Sequence, residues 1–149
     1  MKTINEMEIT FKALSINEGF ARGCVGAFCV QANPSIDEIT DIKTAVSEAV
    51  TNAVVHAYPL SDGYITIKAK LYSSGVVIEV CDNGIGIDNF ETAMEPFFTT
   101  KPNEERSGMG FTVMESFMDS ITLQKNGKNG LVVKMEKIFK KQSNSVVGI

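Results

Sequence analysis

The chain has 149 residues, of which 44% are hydrophobic, so it has material for one core and no room for a second domain. A net charge of -4 argues against a general nucleic-acid binder, which needs a basic face to neutralise phosphates. Nothing in the first residues, MKTINEMEITF, resembles a secretory leader, and no apolar run reaches the roughly 20 residues that span a bilayer, so a cytoplasmic protein without a membrane segment is expected.

In chain order, Met7 to Leu14 alternates imperfectly and reads as an edge strand. Ser15 followed by Glu18 has capping-box spacing, and Phe20, Ala21, Cys24, Val25, Phe28 and Cys29 then recur at helical intervals, which predicts a helix from Ile16 to Gln31. Asn33-Pro34 breaks it. Ser35 and Glu38 form a second capping-box pattern, opening a helix whose inward stripe is Ile39, Ile42, Val46, Ala49 and Ala53 and which stops near Tyr58-Pro59. A hairpin follows, Gly63 to Tyr72 and Val76 to Val80, turning at Ser73-Ser74-Gly75. Ser107 is placed to cap a third helix, Gly108 to Met118. A second hairpin pairs Ile121 to Lys125 with Leu131 to Ile138 across two Asn-Gly steps. The expected fold is a two-layer α/β sandwich over residues 1 to 139, with a mixed, mostly antiparallel sheet carrying helices on one face, and a frayed tail over 140 to 149. Cys24, Cys29 and Cys81 form no C-x-x-C pair and read as reduced core thiols.

Three groups of residues could carry chemistry. Glu48 and Asn52 stand four apart on the second helix and project from one side of it, a hard-oxygen pair suited to magnesium, although such a pair alone is most often just solvated. Asp82, Gly84 and Gly86 follow a strand, and the glycines would let the backbone approach a flat ligand whose exocyclic amine Asp82 could accept. Gly108, Met109 and Gly110 open a helix whose unpaired N–H groups would seat a phosphate. Between the glycine clusters lies a long interval with little periodicity. Such an interval in a small domain is either a functional lid or a misassigned element. His56 reads as a helix-end histidine and not a phosphoacceptor, because a separate dimerisation helix does not fit in the chain.

Together the three groups resemble the Bergerat, or GHKL, ATP-binding fold shared by gyrase-type ATPases, Hsp90, MutL and histidine-kinase catalytic domains. Glu48 to Asn52 matches the N box, Asp82 to Gly86 the first glycine box and Gly108 to Gly110 the second. That resemblance implies ATP or ADP with magnesium held by Asn52, the adenine amine on Asp82, and a nucleotide lid between the glycine boxes. The stretches from Glu18 to Arg22, Ser47 to Ala53, Phe98 to Pro102 and Glu105 to Phe111 are more specifically similar to the anti-sigma F factors of endospore-forming bacteria, the stage II sporulation AB family.

This second resemblance implies a homodimer that sequesters a sigma factor of the sigma-F type and phosphorylates a serine of an anti-anti-sigma protein. Glu48 would then act as general base or positioning group, and Glu18 and Arg22 would face the protein partners. Thr100, Lys101, Arg106 and Ser107 would join Gly108, Met109 and Gly110 around the nucleotide, with Lys101 and Arg106 as cations for the phosphates. Phosphoryl transfer needs positioning and charge neutralisation more than covalent help, which such a set can supply. Phe97 and Phe98 read as lid anchors. The chain departs from many relatives after Gly130, where Leu131 and Val132 stand in place of a threonine near the adenine. Two other readings remain, a nucleotide-gated sigma clamp without significant transfer and a general-stress relative acting on a different sigma factor.

Overall fold

The computed structural model describes residues 2–57, 63–85, 110–127 and 129–140. Strand β1 (Asn5–Lys12) turns Met7, Ile9 and Phe11 toward the core and Glu6, Glu8 and Thr10 outward, the period-two division of a half-buried strand. Helix α1 (Asn17–Cys29) follows, with Ala21, Val25, Phe28 and Cys29 buried. The expected capping box at Ser15 does not form. Ile16 occupies the cap position in helical geometry with no side-chain bond, and only the Ser15 carbonyl meets the Glu18 N–H, at 3.2 Å. The Glu18 carboxylate has stronger donors on its own and the next helix, described below. A tight 3-10 turn, Val30–Ala32, and Asn33 at φ 54° end this segment before Pro34. Asparagine tolerates that left-handed conformation better than most residues.

Helix α2 (Ile36–Asn52) starts at the second capping box, which does form: the Ser35 hydroxyl accepts the Glu38 N–H at 3.1 Å and Glu38 Oε1 accepts the Ser35 N–H at 2.8 Å. Glu38 Oε2 also accepts the Lys140 N–H at 2.8 Å, so the first residue of the expected tail is tied to the start of α2. The helix buries Ile42, Ala45, Val46, Ala49 and Val50, and Ile42 alone contributes about 2 kcal/mol by leaving water. At its end the chain widens into a π-helical turn, Ala53–Ala57. Position 56 lies in that turn, and Tyr58 and Pro59 lie outside the described residues.

Strands β2 (Tyr64–Tyr72) and β3 (Gly75–Asp82) form the first hairpin, and helix α3 (Gly110–Phe117) is followed by the second, β4 (Ser120–Asn126) and β5 (Gly130–Ile138). Gly127 takes φ 77° in the turn, a conformation that L side chains resist. Among the described residues the sheet runs β1-β2-β3-β5-β4, and all four pairings are antiparallel, so the expected mixture resolves to a uniform sheet with β1 at one edge.

Register aligns Ile9, Ile67, Val80 and Val133 on one face, where α2 lies over β3 and β5 with α1 and α3 at its sides. On the other face the same register sets Glu8, Lys68, Glu79 and Lys134 side by side, a row of alternating charge across four strands. Of the three free thiols only Cys29 is a core residue; burial pushes it up to about 12, while Cys24 and Cys81 are half-buried. Lys137 clamps the helical layer, donating to Asp41 on α2 at 3.0 Å and to the carbonyl of Phe117, the last residue of α3, at 2.7 Å.

Candidate functional site

Asp82 closes β3 on the helix-covered face, 4% exposed. A buried carboxylate needs donors, and among the described residues it has two: the N–H of Gly84 at 2.9 Å and the N–H of Leu131 at 3.3 Å, both on Oδ1. Among the described residues nothing donates to Oδ2, the oxygen that a ligand's amine would use. Burial pushes the Asp82 carboxyl above its ordinary range, against the pull of these two N–H groups. The Leu131 contact was invisible in the sequence. Leu131 stands where a threonine is expected in many relatives, and its backbone N–H orients the aspartate.

Asn126 adds a second support. Its Nδ2 donates to the Asp82 carbonyl at 2.8 Å and to Asn83 Oδ1 at 3.2 Å, bridging the end of β4 to the end of β3. In sequence Asn126 is part of an Asn-Gly turn, and only the pairing of both hairpins through β5 brings it to Asp82.

Asn52 ends α2 immediately before the π-helical turn, a kind of irregularity that recurs at functional sites. Its Nδ2 is buried without a hydrogen-bond partner among the described residues. A buried amide nitrogen left unmade costs about 1–3 kcal/mol, which a protein tolerates mainly where function requires it. Gly110, the first residue of α3, packs directly on this amide: a β-carbon there would lie 2.5 Å from Nδ2 and 3.1 Å from Oδ1. Glu48 stands one turn earlier on the same side of α2 and is half-buried. The pairing of an N-box asparagine with a glycine-box glycine is thus a contact between two helices.

The donor set suits magnesium and a nucleotide. Asn52 has a carboxamide oxygen to present once its nitrogen faces Gly110, Gly110 keeps the approach free of a β-carbon, and the buried Asp82 carries both of its described hydrogen bonds on one oxygen.

Residues 14–137 match the model of the histidine kinase-like ATPase domain. The chain is 50% identical over 135 residues to the anti-sigma F factor of Clostridium kluyveri, covering 91% of this chain and 95% of that protein. With the anti-sigma F factor of Clostridium beijerinckii it shares 52% identity over 136 residues, again covering 91% and 95%. The chain belongs to the anti-sigma F factor family. Among solved structures, the fold is similar to the RsbU and RsbW domains of Rv1364c from Mycobacterium tuberculosis, at a TM-score of 0.65 and 20% identity over 92% of this chain and 33% of that one. It is also similar to the catalytic domain of histidine kinase ThkA, at 0.57 and 19% over 93% and 100%.

Within this anti-sigma F family member, the described site residues other than Glu48 divide into three groups. Asn52 and Gly110 touch, Asp82 and Gly84 are joined by a hydrogen bond, and Glu18 and Arg22 form an ion pair at 2.8 Å on α1. Gly86, Thr100, Lys101, Arg106, Ser107, Gly108 and Met109 lie outside the described residues, as do Phe97 and Phe98 and the expected lid. Among the described residues no helix is long and apolar enough to cross a membrane.

Proposed function

We propose that this chain is a cytoplasmic anti-sigma factor that binds a sporulation sigma factor of the sigma-F type and uses Mg-ATP to phosphorylate a serine of its anti-anti-sigma antagonist. The observation that carries this reading is the buried, unpartnered Asn52 amide packed on Gly110, one helical turn from Glu48. Membership of the anti-sigma F factor family supplies the partner class.

Bound Mg-ATP would supply the transferable phosphoryl group and much of the charge neutralisation. In this reading the chain's own groups do the positioning. Asp82 Oδ2 accepts the adenine amine while Gly84 and Leu131 hold Oδ1. Gly86, Thr100, Lys101, Arg106, Ser107, Gly108, Met109 and Gly110 would bind the rest of the nucleotide, and Asn52 would hold magnesium. Glu48 orients the acceptor serine and takes its proton as the serine oxygen bonds to the γ-phosphorus and the bond to the β-phosphate oxygen breaks, leaving ADP. A chain that served only as a nucleotide-gated clamp would have no use for a carboxylate at Glu48.

We also assign a homodimer, formed through the open face of the sheet. A two-fold axis parallel to the strands reverses the row Glu8, Lys68, Glu79, Lys134 and sets every carboxylate opposite an ammonium of the second copy, whereas an axis across the strands would oppose like charges. Lys68→Glu should shift the sedimenting species toward monomer; an unchanged dimer removes this face from the assignment.

The functional test mixes the chain with Mg-ATP, a purified anti-anti-sigma protein and a sigma-F-type factor. Phosphoserine on the antagonist and retention of the sigma factor are expected. Retention without phosphoserine would leave only the clamp.

A further inference from the structure

Helices α1 and α2 lie side by side, and one cluster joins them next to Glu48. The Glu18 carboxylate oxygen Oε2 accepts two donors, the Ser47 hydroxyl and Arg22 Nη1, the latter at 2.8 Å. The same guanidinium nitrogen lies 3.4 Å from Ser47 Oγ, so the three side chains close a triangle. Its corners differ in exposure. The Arg22 side chain is 43% exposed and that of Glu18 24%, which turns the cation toward solvent and the carboxylate toward the helix groove.

Successive helical residues project about 100° apart. Ser47 therefore faces α1 while its neighbour Glu48 keeps to the side of Asn52. An isolated Glu18–Arg22 pair at i, i+4 would contribute little and would leave both chains free to change rotamer. The hydroxyl from the second helix gives the carboxylate a donor that does not depend on the arginine.

We propose that Ser47 is a positioning residue for docking of the phosphoacceptor protein. By holding Glu18, it aims Arg22 outward and keeps the carboxylate partnered when an acidic group of the docking protein takes the guanidinium over. This rests on the functional reading above, in which Arg22 faces the protein partner.

The exchange is a hand-over of one cation between two carboxylates. Arg22 gives up Glu18 and gains the partner's acid, and Glu18 keeps the Ser47 hydroxyl. The hydroxyl is bonded before and after the exchange, so its removal acts only through the difference: without it Glu18 would lose its last described donor on docking, which costs a part-buried carboxylate more than losing one of two, by about tenfold in equilibrium.

The test is steady-state phosphorylation of a purified anti-anti-sigma protein by the full chain at saturating Mg-ATP, with Ser47→Ala, Ser47→Thr and Arg22→Ala. Ser47→Ala should raise KM for the protein about tenfold, with kcat and KM for ATP unchanged, and Ser47→Thr should restore it because the hydroxyl returns. In an Arg22→Ala background, Ser47→Ala should have no further effect on KM. A wild-type KM in Ser47→Ala overturns the inference, as does an equal Ser47→Ala effect with and without Arg22. A parallel loss in kcat, ATP affinity and melting temperature would show a merely structural serine and overturn it too. Absence of phosphoprotein from the wild-type chain would instead overturn the functional reading, and this inference with it.

Discussion

The Asn52 carboxamide occupies the space a Gly110 β-carbon would need, with Nδ2 2.5 Å from that position. Neither residue can yield easily, since Asn52 closes α2 and Gly110 opens α3 where the two helices pack together. Gly110→Ala should push the amide off its position. The expected result is a folded protein destabilised by about 1–3 kcal/mol, with nucleotide binding lost in a titration with a fluorescent ATP analogue. Wild-type affinity in a folded Gly110→Ala protein would remove Asn52 from the site.

Asp82 carries a pH signature. Burial raises its carboxyl above the unfolded value of about 3.9. For a group raised on folding, the stability it contributes is complete below the unfolded value and is lost as pH rises through the folded one. A melting series from pH 3.5 to 6 should therefore show Asp82→Asn gaining on the wild type as pH rises across that window. Nucleotide affinity should run the opposite way, because the amine needs an ionised acceptor. Parallel melting curves for the two proteins would contradict the buried, raised carboxyl.

Asn126 supports Asp82 through the backbone, donating to its carbonyl at 2.8 Å. Asn126→Ala should weaken ATP and ADP alike by roughly fivefold, the worth of about 1 kcal/mol. Isothermal titration calorimetry with each nucleotide measures it. A loss confined to ATP would place Asn126 at the phosphates instead of the base.

Glu38 ties the start of α2 to Ser35 and Lys140. Burial raises its carboxyl, but the Lys140 and Ser35 N–H groups, the Ser35 hydroxyl and the Lys137 charge outweigh that and hold it below the ordinary range. A lowered carboxylate contributes its stability above the unfolded value, about 4.3, and loses it as pH falls through the folded one. Glu38→Ala should cost about 1–2 kcal/mol at pH 7, through the lost capping box, and less at pH 3.5. Chemical denaturation at the two pH values reads this, with nucleotide affinity unchanged.

Much of this was legible in the chain, because local rules and tertiary packing agree. Ser35 and Glu38 sit before an inward stripe at helical spacing, and the period-two pattern of β2 marks it as a strand, with Ile65 and not Tyr64 joining Ile67 and Ala69 on the buried face. Ser15 and Glu18 carry the same box spacing as Ser35 and Glu38, yet there the box fails. Glu18 has a better set of donors in Arg22 and Ser47, and Ser47 is 29 residues away in sequence. Spacing cannot display such competition. The same holds at Asp82: its own position was readable after a strand and before glycines, whereas its supports, Leu131 at 49 residues and Asn126 at 44, depend on β5 pairing with both β3 and β4. The spacing of Gly108 and Gly110 before a helix suggests a phosphate seat, and the contact of Gly110 with Asn52 follows only from α3 lying against α2.

The central claim is that Glu48 serves phosphoryl transfer beside a nucleotide held by Asn52 and Asp82. Its most direct test is a single-turnover assay with γ-labelled ATP, magnesium and a purified anti-anti-sigma protein, comparing the wild type with Glu48→Ala at nucleotide concentrations that saturate both. The account predicts labelled phosphoserine from the wild type, and from Glu48→Ala a transfer rate lower by about a hundredfold or more with ATP binding retained. Transfer by Glu48→Ala at the wild-type rate would contradict it.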